Sequence, residues 1–312
     1  MTLRYTLILA VVAGLLPIEV PWLGFVFTLA VSKGFAALGV AMLLRGGLIS
    51  IGHALYFAVG AYAVAFLMRD AGISDLLLLC AFATWISAVV GFLVGAFVVR
   101  YRAIFFAMLN LAISMVVFSL LSKLYYITGG TDGLRVDTPT LLGTQLSRGM
   151  FDLVLQNTAL VLMVVAAILI DRYLRSPLGE SLGAIETNEV RLEYLGISTR
   201  GVIWAAYTTS AALAGLGGAI SAIAIGHVVP ELSYWTVSGQ LVLIAVLGGI
   251  GGVPGAFIGA FFLELVRTFA VGIAADAWNA IIGISLLTVI FFLPNGLFGV
   301  IQHLERLRAD CK

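Results

Sequence analysis

Ten apolar segments, most of them close to the length a membrane span needs, follow one another along the 312-residue chain with little between them. A bilayer core of about 30 Å asks for roughly 20 apolar residues per spanning helix. Read by length and polar punctuation, the segments fall at 5–20, 22–44, 49–68, 76–99, 103–126, 151–171, 202–226, 237–250, 254–273 and 278–294. Only 11% of residues are charged and 62% are hydrophobic, against about a quarter charged in an average soluble protein. The expected fold class is therefore an all-α polytopic membrane protein of about ten transmembrane helices, one domain over 1–312. The run after Arg4 lacks a small-x-small cleavage site, and apolar character resumes directly after Pro17, Glu19 and Pro21. It reads as a retained first span rather than a signal peptide.

Orientation follows the basic residues of the short connections. Arg4, Arg45, Arg100, Arg102, the 172–200 loop, and Arg306, Arg308 and Lys312 fall on one side if the spans alternate. That side, with both termini, is expected to be cytoplasmic. The other side receives Asp70, Asp75, the 127–150 loop, His227 to Tyr234 and Asp276, but also Arg69, Lys123, Arg135 and Arg148. The net charge of +1 implies no nucleic-acid partner. Cys80 and Cys311 make no disulfide framework.

Small residues recur inside the spans: Gly91/Gly95, Gly255/Gly259, and Ala212, Ala214, Gly215, Gly217, Gly218 and Ala219. In lipid such faces let helix backbones approach closely. Two glycine stretches look different. Gly46 to His53 precedes a span, and Gly248 to Gly255 joins two. Each reads either as broken backbone beside a solute route or, for the second, as a tight turn.

The longest polar interval is Asp171 to Arg200. Leu178, Leu182 and Ile185 recur at helical spacing and predict a short amphipathic helix. Ser176-Pro177 can start it, and Gly196 can stop the run that follows. Such an element fits a cleft on a partner protein, or it simply joins two spans.

Enzyme chemistry finds little support. The chain has no GxxxxGK[ST] loop, no HExxH and no CxxC. His53, His227 and His303 are scattered. Glu264 and Arg267 lie three apart and can pair, while Lys33 sits inside the second span, near a helix break or facing protein. This is too little for the carboxylate relay of a secondary transporter. Asn110 and Ser114 share a helix face, and Gly52, His53, Tyr56 and Phe57 precede or open another span. These six residues either line a polar route or make packing contacts.

With those residues in view, the chain resembles the permease family of ABC importers for branched-chain amino acids, specifically its M-type subunit. Gly47 to Tyr62 is similar to the family's GLLSLGHAAFFGIGAY stretch, Thr128 to Gly133 to its TGGSDG loop, and Ser176 to Glu189 to SPFGRALRAIRENE. Leu195-Gly196-Ile197, Pro230-Glu231, Leu247 to Gly255 and Leu293 to Leu297 fit its remaining landmarks. There are departures. Glu180, Gly183 and Glu186 stand where the family has arginines, and Tyr101 to Leu111 departs from LRGIYFAMLTLA, with Asn110 in place of a threonine.

The resemblance implies a ten-helix ABC importer permease with no catalytic residue, metal or cofactor of its own. ATP and magnesium would sit on two cytoplasmic ATPase subunits. Its other partners would be a homologous H-type permease, an extracytoplasmic solute-binding protein and the lipid of a bacterial or archaeal inner membrane. The 172–200 loop would couple to the ATPases through Pro177, Gly179, Glu180, Leu182, Ala184, Ile185, Glu189 and Gly196. The solute would be a branched-chain amino acid, or, as carried by relatives, urea, an amide, or an aromatic or carboxylic acid. A channel or secondary transporter working without ATP is the remaining alternative.

Overall fold

A computed structural model describes residues 5, 6, 9, 14, 21–141, 143, 144, 147–249, 252–273, 277–293 and 296–299. The described chain is a helix bundle. In order it comprises α1 (Pro21–Leu44), α2 (His53–Asp70), α3 (Leu76–Val98), α4 (Ala103–Lys123), α5 (Tyr125–Thr128), a 3-10 turn (Gly130–Asp132) and β1 (Leu134–Arg135). There follow α6 (Arg148–Leu174), α7 (Pro177–Tyr194), α8 (Thr199–Ile225), β2 (His227–Val228), a 3-10 turn (Pro230–Ser233), α9 (Trp235–Gly248), α10 (Val253–Ile273) and α11 (Trp278–Phe292).

Six of these helices, α1, α3, α4, α6, α8 and α10, are long and apolar enough to cross a membrane. α2, with 18 residues, carries His53 at its start and Arg69 and Asp70 at its end, and α9 and α11 have 14 and 15 residues. The expected first span, 5–20, lies outside the described residues apart from 5, 6, 9 and 14.

α8 is the axis of the bundle. Its small residues bring three other helices into backbone contact, which is the packing that holds helices together where lipid offers no hydrophobic contrast. A Cβ on Gly218 would lie 1.8 Å from the Phe57 carbonyl of α2, and one on Gly217 2.3 Å from the Ser32 carbonyl of α1. At Gly215 it would meet the Ser87 hydroxyl of α3 at 2.1 Å. The expected Gly91/Gly95 pair completes the seam, Gly91 against Ala211 and Gly95 against Trp204 and Tyr207. Trp204 Nε1 also donates to the Phe92 carbonyl at 2.8 Å.

Three boundaries differ from expectation. The expected 49–68 span begins at His53 rather than 49, because residues 46–52 are non-helical and Gly47 takes a φ of 69°. The 103–126 span stops at Lys123, and α5 follows as a separate turn. The 127–150 interval is not a plain loop. β1 pairs antiparallel with β2, Leu134 opposite Val228, and Thr140 exchanges backbone hydrogen bonds with Ser74 and Leu76.

Within the Gly248–Gly255 stretch, residues 250 and 251 lie outside the described residues. A Cβ on Gly248 would lie 2.0 Å from the Gly255 carbonyl, and one on Gly259 2.4 Å from that of Ile244, so α9 and α10 meet backbone to backbone.

Lys33 takes the protein-facing alternative. Its ammonium meets Glu264 across the α1–α10 interface, and Glu264 is almost fully buried. Arg267, the partner expected for Glu264, lies farther away at 3.8 Å. Cys80 is buried. Cys311 lies outside the described residues.

Ala103, at the start of α4, has a φ of 50°, unlike any other non-glycine residue among those described. That half of the map costs an L-residue about 1–2 kcal/mol. Ala103→Gly is therefore expected to stabilise the purified chain by about 1 kcal/mol, read as a higher thermal midpoint in detergent. A lower midpoint would show that Ala103 carries no strain.

Candidate functional site: the α7 element and the buried polar seam

α7 begins as its sequence suggests. Ser176 is the N-cap, its Oγ accepting from the Gly179 amide at 3.4 Å, and Pro177 occupies the first turn. It ends at Gly196, whose φ of 80° closes a left-handed cap. There the Ile197 amide donates to the Leu192 carbonyl at 3.1 Å and the Gly196 amide to that of Glu193 at 3.0 Å. Between the ends, Asn188 leaves helical geometry, and its Oδ1 accepts from the Arg191 amide at 3.0 Å. α7 is thus two helical pieces hinged at Asn188.

Its two faces differ from the expected ones in one respect. Leu182 and Ile185 are buried, but Leu178 is 46% exposed. The buried stripe runs through Gly179, Ser181, Leu182 and Ile185, with Leu192 beyond the hinge. Burying Leu178 would need α7 rolled by about 100°, the angle between successive residues of an α-helix, and Gly179 fixes the roll. A Cβ on Gly179 would lie 2.3 Å from the Tyr173 carbonyl. Leu182 packs on Gly46 and Glu186 on Gly47, so α7 sits on the break between α1 and α2.

Of the residues expected to couple, Gly179, Leu182 and Ile185 are thus anchors held by their own chain, and Ala184 is half-buried. Pro177, Glu180 and Gly196 lie at the surface. Val190, Tyr194 and Leu195 share the exposure of Leu178. Their place was not read from the sequence, because the hinge at Asn188 resets the helical phase beyond it.

Glu189 reaches out of α7 to the α3–α4 turn. Arg102 grips it with Nη2 at 2.6 Å and Nε at 3.0 Å. The same guanidinium donates to the carbonyls of Val99 and, at 3.0 Å, Tyr101. Hydrogen bonding from Arg102 holds the Glu189 carboxyl below its ordinary value of 4.5, against a smaller opposing effect of burial. A carboxyl depressed in the folded state adds stability above its unfolded pKa and loses it as pH falls through the folded one. Acidification below about 4.5 is therefore expected to erode the stability of the parent more than that of Glu189→Gln. Parallel pH–melting curves would contradict this.

The six residues expected along a route do not form one open path. Gly52, His53, Tyr56 and Asn110 come together. Gly52 abuts the Asn110 carbonyl, at 2.5 Å from an ideal Cβ. Tyr56 donates to Tyr207 at 2.8 Å, and Tyr207 donates to the Asn110 side-chain oxygen. Asn110 Nδ2 donates to the Phe106 carbonyl at 2.8 Å. His53 sits between the hydroxyls of Ser50, at 2.8 Å, and Ser210. Phe57 instead packs on Gly218, and Ser114 donates to the Ser233 carbonyl at 2.8 Å.

All these side chains are buried. Asn110 and Ser114 do share a face, as their spacing indicates, and with Phe106 they form the buried stripe of α4. One open space is lined by neighbours of this seam, a cavity of about 450 Å³ bordered by Gly47, Ile49, Ile51, Ala103, Ala107 and Leu111, among others. Another, of about 330 Å³, lies between Val59, Tyr62, Phe66, Ile86, Val117 and Leu121.

Comparison with known proteins gives these elements their context. The family model described as branched-chain amino acid transport system / permease component matches residues 23–290. The chain belongs to this family. It is similar to the high-affinity branched-chain amino acid transport system permease protein LivM of Escherichia coli K12, 33% identical over 248 residues. That match covers 72% of this chain and 58% of the relative, so the chain spans less than two thirds of that protein. The corresponding LivH protein of Salmonella typhimurium is 24% identical over 298 residues, 87% of this chain and 92% of the relative. The autoinducer 2 import system permease protein LsrC of Photorhabdus laumondii is 31% identical over 126 residues, 38% of each chain. No solved structure gives a significant match. The matched region of this chain contains both the α1–α2 break and α7.

Proposed function

We propose that the chain is the transmembrane permease subunit of an ATP-driven importer of branched-chain amino acids. It would have the ten-helix architecture and both termini in the cytoplasm of a bacterial or archaeal cell. Its partners would be an H-type permease, two ATPases carrying ATP and magnesium, and an extracytoplasmic solute-binding protein. Similarity to both M- and H-type permeases supports the pairing of two homologous subunits. No bond is made or broken on this chain. ATP-driven movement of α7 would tilt the spans around a central route, a two-state change biased by nucleotide.

The observation that carries this reading is α7, a helix with one face locked into its own chain and the other open. The open face combines Leu178, Val190, Tyr194 and Leu195 with Glu180. It suits a cleft on the ATPase with an apolar floor and a basic rim. The solute route would follow the cavity beside the Gly52–Asn110 seam.

Affinity purification of the tagged chain in mild detergent, followed by mass spectrometry, tests the reading. Two ATPase subunits and a second permease are expected with the parent. Tyr194→Asp is expected to lose most of the ATPase, a drop of about tenfold or more for a buried apolar anchor, while keeping the second permease. A parent chain that purifies alone would point to an ATP-independent channel.

A further inference from the structure

Three features of the cytoplasmic end meet at one side chain. The first is Arg102, which joins three elements: the last turn of α3 through the Val99 carbonyl, the start of α4, and α7 through both oxygens of Glu189. The second is Ala103, next in sequence, whose φ of 50° departs from helical backbone where α4 begins. The third is how little of α4 this chain covers. Its membrane-length window is only 17% buried, and Ile104, Phe105 and Met108 are 60% or more exposed. α4 is held by one stripe, Phe106, Asn110 and Ser114.

We propose that Arg102 is the positioning residue through which α7 moves α4, with Ala103 as the pivot. This rests on the reading of the chain as an ATP-driven permease. The pair is bidentate, and a planar guanidinium held at two points transmits direction as well as force, which a single ammonium does not. Glu189 follows directly on the Asn188 kink, so the outer piece of α7, seated on the chain by Leu192, can turn relative to the piece that Leu182 anchors. A swing pulls Arg102, and α4 turns about Ala103. The stripe then shifts against α8. Its first two members both touch Tyr207, Phe106 edge-on at 5.9 Å and Asn110 by its hydrogen bond. Tyr207 carries the shift to Tyr56 on α2. Displacement at α7 thus reaches the buried seam and the cavity wall formed by Ala103, Ala107 and Leu111.

The test is a charge swap. Arg102→Glu, Glu189→Arg and the double variant are reconstituted with the other subunits in liposomes, with radiolabelled leucine as the solute. Each single variant is expected to lower leucine moved per ATP by about fivefold or more, the size of an ordinary coupling energy, while the ATPases still co-purify. The double variant is expected to recover most of the ratio, and Arg102→Lys to fall between. Parent-like ratios in both singles, or a double no better than the singles, would overturn the proposal.

Hydrogen exchange on the purified chain reads the same link without the ATPases. Faster exchange over 103–110 in the singles, reversed in the double, is expected. Unchanged exchange refutes the link. Failure of the ATPases to co-purify with the parent refutes the functional reading alone.

Discussion

Glu264→Ala is expected to be among the most damaging substitutions in the chain. It leaves the Lys33 ammonium, with only 14% of its side chain exposed, inside the bundle without its counter-charge. Removing one partner of a buried ion pair costs about 3–5 kcal/mol, because the remaining charge is desolvated and uncompensated. The readouts are the yield of monodisperse protein and its thermal midpoint in detergent. A double variant, Lys33→Met with Glu264→Leu, is expected to recover most of the loss, since well-packed apolar residues can replace a buried pair at little cost. Should Glu264→Ala melt like the parent, Lys33 would have to reach water, and the pairing would have no structural weight. Should the double variant fail as badly as the single, the loss would lie in the shape of the α1–α10 contact and not in its charges.

Gly218→Ala tests the packing axis with the smallest possible addition. The new methyl would sit 1.8 Å from the Phe57 carbonyl, and a carbonyl on a helix backbone cannot turn aside as a flexible side chain would. α2 and α8 would have to separate, and their separation loosens α1 and α3, which pack on the same stretch of α8. Overpacking costs about 1–3 kcal/mol where side chains can adjust, and occasionally more. Here the expected cost lies at or above the top of that range, visible as loss of folded protein from the membrane fraction. Gly239→Ala is the control. Nothing lies within 4 Å of its Cβ position, so parent-like yield is expected there. Equal behaviour of the two variants would mean that the α2–α8 approach is not tight.

Much of this architecture could be read from the residues alone. Apolar length located the described spans, because a bilayer sets a minimum run that few other environments demand. The small-residue face of Ala212 to Ala219 announced a helix to be approached closely, and α8 is approached from three sides. Ser176-Pro177 and Gly196 marked the ends of α7 by local chemistry that depends on a few neighbouring groups only.

What escaped were facts of the third dimension. The roll of α7 is decided by the contact of Gly179 with Tyr173, so a heptad-like stripe that included Leu178 was misleading. The partner of Lys33 lies on a helix 231 residues away, whereas sequence spacing offered only the near neighbour Arg267. For the residues expected along a route the sequence left two readings, and it could not show which of them bond to other side chains inside the bundle. Asn110, Tyr56 and His53 do so, and the cavity opens beside them.

The place of α8 in the chain also bears on how the protein is made. α1, α2 and α3 leave the ribosome well before Thr199 does, and each presents to lipid a notch shaped for a helix not yet synthesised: Ser32, Phe57 and Ser87 face the glycines they will later touch. α2 and α3 also touch each other directly, but the contacts that tie all three early helices to one axis are completed only once α8 has been made. A chain that stopped before α8 would leave those glycine-facing surfaces without their partner, and incompletely packed surface of that kind is what makes unfinished chains prone to misassembly.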